Sequence, residues 1–89
     1  MAKKRRKLSK DFERKIYSSK KNVELVLAKI YDIDDEDIQK EYMSAFNGVV
    51  NFYDELKGDY EREGFSDNSE ELLANYKNAF NLFESEFEI

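Results

Sequence analysis

The chain has 89 residues, 15 Lys plus Arg against 20 Asp plus Glu, a formal charge of −5, and no Cys, His, Pro, Trp or Thr. One small domain is expected, burying roughly 60–65% of the surface its unfolded chain exposes. Without Cys there is no disulfide or thiolate nucleophile, and without His there is no Ser-His-Asp or Cys-His activation, no ordinary base near neutral pH and no imidazole ligand.

These absences point to a protein that is not an enzyme and needs no cofactor. No apolar run approaches the roughly 20 residues of a membrane span. The charged start passes directly into Leu8-Ser-Lys-Asp-Phe with no apolar centre, so no signal peptide is expected and the location is read as cytoplasmic. Residues with AT-rich codons dominate, which points to a low-GC genome such as that of a Gram-positive bacterium, its phage or a plasmid.

In chain order, residues 1–8 read as a basic, flexible N-terminal arm, and residues 9–89 as a single helical domain. Ser9 is a good N-cap, with Asp11 and Glu13 in the first turn behind it. Phe12, Ile16, Ser19, Val23, Val26, Leu27 and Ile30 then recur at spacings of three and four, predicting a helix over about 10–31. Asp34 is the expected cap of a second helix over about 35–63, whose stripe runs from Ile38 through Tyr42, Phe46, Val49, Tyr53 and Leu56 to Tyr60. Gly64 suits a residue of positive φ after that helix, with Phe65 folding back on its last turn. A capping box of Asp67 with Glu70, or of Asn68 with Glu71, starts a third helix over about 69–88. Three amphipathic helices with two short links make a small antiparallel three-helix bundle, an all-α fold, the simplest way to bury all three stripes.

Charge is divided unevenly. Residues 1–21 hold ten basic residues and two acidic ones, a net of +8, and the other 68 hold five basic and eighteen acidic, a net of −13. The leading expectation is therefore a non-catalytic interaction protein of the inhibitor, antitoxin, immunity or adaptor kind. Its acidic and partly apolar helical surface, formed by Asp35, Glu36, Glu41, Val50, Tyr53, Asp54 and Glu61, would meet a protein with a basic surface. The breadth of apolar residues on helix two also raises a homodimer.

The alternative is a nucleic-acid accessory protein. It would neutralise phosphates through Lys3, Lys4, Arg5, Arg6 and Lys7 in the arm and Lys10 and Arg14 on helix one, with little sequence specificity. The acidic helices two and three would be repelled by phosphate, which argues against a helix-turn-helix reader. Exposed Tyr17 or Tyr31 beside the basic helix could stack on bases.

One short stretch, Asp59-Tyr-Glu61-Arg-Glu63-Gly64-Phe-Ser-Asp67-Asn-Ser-Glu70, resembles the EF-hand calcium loop in its acidic positions and its central glycine. The resemblance implies Asp59, Glu61, Glu63, Asp67 and Glu70 as metal ligands. The sequence departs from the pattern in carrying Glu at the third and fifth positions, and Ser66 at the eighth where an aliphatic residue belongs. A helix end followed by a glycine cap, a polar turn and a new helix accounts for the same residues without a metal.

Overall fold

In a computed structural model, residues 7–87 are described. They form α1 (Lys10–Tyr31), α2 (Glu36–Glu63) and α3 (Ser69–Glu86), a small all-α bundle with no strand among the described residues. Each start has a local cause. Ser9 sits in extended backbone and its Oγ accepts from the Phe12 N–H at 3.2 Å, satisfying one of the free donors of the first turn of α1. At α2 the cap is Asp35 and not Asp34, because the helix begins one residue later than expected. The Asp35 carboxylate accepts from the N–H groups of Asp37 and Ile38 at 2.9 and 3.1 Å.

The α2–α3 link also differs from expectation. Asn68 is the N-cap of α3 without a side-chain hydrogen bond, so neither capping box forms. Buried Ser69 organises the turn instead: its Oγ accepts from the Ser66 N–H at 2.9 Å and lies 3.5 Å from the Gly64 carbonyl oxygen. Gly64 has φ 73° and ψ −158°, a region open essentially to glycine alone. It turns the chain so that the Phe65 N–H donates to the Lys7 carbonyl. Phe65 then packs edge-on against Phe12 of α1, 5.1 Å between centroids, at the margin of the core. α3 ends at Glu86, short of residue 88: its last turn has no cation, and Glu84 and Glu86 oppose the helix dipole there.

Packing follows the three stripes. Ile30, Phe46 and Leu56 are essentially inaccessible, and around them lie Phe12, Val23, Val26, Val49, Leu72, Leu73, Tyr76 and Phe83. Ring pairs fix the antiparallel register of α2 and α3. Tyr42 meets Phe87, Phe46 meets Phe83 and Tyr53 meets Tyr76, at 4.8, 4.8 and 6.1 Å, so positions rise on α2 as they fall on α3.

α1 runs antiparallel to α2 and is fastened at both ends. Near its start the Tyr60 hydroxyl accepts from the Ser9 N–H at 3.0 Å and donates to Glu13 Oε2 at 2.6 Å. Near its finish the Gln39 amide donates to the carbonyls of Ile30 and Tyr31 at 3.1 and 3.2 Å. The 28 residues of α2 span about 42 Å at 1.5 Å each, and the molecule is a rod of 57 × 20 × 18 Å.

Candidate functional site

Since α1 and α3 both pack on α2, they lie side by side, and their mutual seam is the loosest of the three. It closes at Ser19, whose side chain is small enough to let the Tyr76 ring approach α1. The Tyr76 hydroxyl donates to the Ser19 carbonyl at 3.2 Å, while Ser19 Oγ donates back to the Lys15 carbonyl at 2.8 Å. Burial pushes the Tyr76 phenol up to about 12. Its contact with Ser19 opposes the rise, and Tyr53 and Glu84 add to it. The phenol therefore stays neutral and holds the floor of the seam.

Outward from that floor the seam opens into a furrow of about 670 Å³. To its wall α1 contributes Lys15, Ser18, Asn22, Leu25 and Lys29, which recur every three or four residues along one flank, with Arg14 beside them. α3 contributes Lys77, Asn81 and Glu84, above a floor that includes Val26 and Phe80. Among the described residues, four cations thus face one carboxylate. Among the described residues, Lys15, Lys29 and Lys77 make no ion pair, and Arg14 makes only an exposed one with Asp11 at 3.8 Å, a kind of contact worth little. Lys77 is the sole cation of α3, a helix that reads as acidic in sequence, and the fold turns it toward the cations of α1.

On the other flank of α1 lies a shallower concavity formed by Lys10, Glu13, Arg14, Tyr17 and Ser18. Tyr17 is exposed, with Lys21 Nζ 5.4 Å from its ring centroid. Arg14 and Ser18 border both depressions, so the two meet across the ridge of α1.

Of the phosphate-binding candidates, Lys3, Lys4, Arg5 and Arg6 lie outside the described residues. Lys7 is bridged to Gly64, its ammonium 5.9 Å from the Phe65 ring. The root of the arm is thereby docked on the α2–α3 corner. Lys10 and Arg14 are exposed on α1.

The acidic candidates are less concerted. Asp35, Glu36, Glu41, Asp54 and Glu61 are all exposed, but Glu36 and Glu61 stand roughly 38 Å apart along α2. Tyr53 is not on that surface: it is buried against Tyr76, and burial together with Asp54, Glu24 and Glu61 raises its phenol above the ordinary 10.0. Val50 is half-buried against the core.

The expected calcium-loop arrangement does not form. α2 continues through Glu63, so Asp59, Glu61 and Glu63 are distributed around a regular helix and do not line a loop, while Asp67 and Glu70 lie beyond the turn. Among the described residues no three carboxylates come together as a metal site.

Sequence reasoning found the cations of α1 but missed Lys15, Lys29 and Lys77 as one group. The available signal was the flank Lys15, Ser18, Asn22, Leu25, Lys29, which runs beside the core stripe at helical spacing. Comparison with protein-family models, with curated proteins and with solved structures gives no match, so the furrow's own chemistry carries the functional reading.

Proposed function

We propose that the protein is a non-catalytic accessory protein that binds the phosphate backbone of nucleic acid through the basic side of α1 and the α1–α3 furrow. The observation that carries this reading is the convergence of Arg14, Lys15, Lys29 and Lys77 on one open furrow, where Glu84 is the one carboxylate among the described residues of the lining. Cations gathered from two helices, of which Arg14 alone makes an ion pair among the described residues, form a field that a polyanion neutralises with release of its counterions. Asn22, Asn81 and Ser18 add neutral hydrogen-bonding groups of the kind that contact phosphate and sugar without reading sequence.

Fluorescence anisotropy with labelled oligonucleotides at about 50 and 200 mM salt tests the reading. Four neutralised phosphates on a single strand correspond to a slope of log affinity against log salt of roughly −3. Lys15→Glu with Lys77→Glu is expected to weaken binding at least about tenfold and to flatten the slope. Binding that is absent at the lower salt, or indifferent to both charge reversals, overturns the proposal.

A second reading, docking of the outer side of α2 on a basic protein surface, is supported by the exposure of Asp35, Glu36, Glu41, Asp54 and Glu61. Recovery of a stoichiometric protein from the native host at moderate salt, lost on replacing Glu36, Asp54 and Glu61 by Lys, is its expected result. Recovery unaffected by those changes counts against it.

A further inference from the structure

We infer that the nucleic acid this surface takes is single-stranded, with its backbone in the α1–α3 furrow and a base stacked on Tyr17 across the ridge of α1. The inference rests on the backbone-binding reading above and adds the strand state. A furrow of about 670 Å³ between two helices is the size of a small-molecule cleft. Its cations, drawn from two adjacent helices, lie along one seam and offer a track to a single sugar–phosphate chain.

Tyr17 supplies what a duplex cannot use. Tyr17 is 58% exposed, whereas Phe12, the other aromatic residue near that end of α1, is 2% exposed. Tyr17 stands outside the core, and Lys10, Arg14 and Lys21 surround its ring. Unpaired bases offer a free face to such a ring, and cations beside it hold the flanking phosphates, a combination that is tolerant of sequence.

Arg14 and Ser18 border both depressions, which puts the backbone track and the stacking platform within one side chain of each other. Two carboxylates stand nearby: Glu13, which borders the Tyr17 concavity and accepts from the Tyr60 hydroxyl, and Asp11, 3.8 Å from Arg14.

The test uses the full chain with labelled oligo(dT) of about 15 nucleotides and a duplex of the same length, at low salt. Wild type is expected to prefer the single strand by at least about tenfold. Tyr17→Ala should weaken single-strand binding roughly 5- to 100-fold, Tyr17→Phe should stay within about twofold of wild type, and duplex binding should move by no more than about twofold in either variant. Equal affinity of Tyr17→Ala and wild type for oligo(dT), or tighter binding of the duplex, overturns this inference while leaving backbone binding intact. Failure of both probes to bind overturns the backbone reading and this inference together.

Discussion

Gly48 inside α2 and Gly64 just after its end have opposite reasons to be there. Gly48 lies inside the helix, and a Cβ built on it meets nothing within 4 Å. Gly48→Ala should therefore stabilise the fold by about 0.5–1 kcal/mol, since alanine restricts the unfolded chain and suits a helix. Gly64 closes the same helix at φ 73°, ψ −158°, and Gly64→Ala should cost about 1–3 kcal/mol. Urea midpoints moving in opposite directions at constant m-value are the expected pair of results, and a stabilised Gly64→Ala would refute the strain argument. Tyr76 acts at the same scale through its proton. Its folded phenol holds the proton up to about 12, whereas the unfolded one releases it near 10.0. Stability from this group is fully present below pH 10 and is lost as pH rises from 10 to about 12, with Tyr53 acting in the same direction. The melting temperature should fall over that interval, and less steeply in Tyr76→Phe; parallel curves for the two proteins would remove Tyr76 as the cause.

Among the elements, α1 is the one whose attachment is least evident from its own residues. α2 and α3 interlock through a ladder of rings, while α1 is held by the Tyr60 hydroxyl at one end and the Gln39 amide at the other. Tyr60→Phe should lower stability by about 1 kcal/mol, Glu13 being exposed enough for water to replace part of the lost bond. Amide exchange should quicken in the first turn of α1 and stay unchanged in α3, and an equal acceleration in both helices would show that the bond supports the whole core and not one end of α1. The helices themselves were legible because proline is absent and the buried stripes keep helical spacing through the polar Ser19, so their limits follow to within one or two residues. The caps were less so. Asp34 and Asp35 are chemically identical candidates, and only the register of the first turn selects the second. The Ser66–Ser69 turn replaced the expected capping box because Ser69 is buried, which its sequence neighbourhood does not reveal.

At the level of the whole molecule, the division of charge into a basic beginning and an acidic remainder is plain in the sequence, but the site it creates is not. Which flank of α1 faces which flank of α3 depends on how both roll on α2, and that rotation brings Lys77 from an acidic helix to the basic side. The same rotation takes Tyr53 out of the proposed acidic surface and into the core. One consequence concerns how such a protein can change over generations. The separation of α1 from α3 is set where Tyr76 reaches the Ser19 carbonyl, with a side chain of only two heavy atoms between the helices. Glycine, alanine or a bulkier residue at position 19 would narrow or widen the furrow without touching a single charge. Its width and its electrostatic pull can therefore be selected independently, and a lineage can alter which ligands fit before it alters how strongly they are attracted.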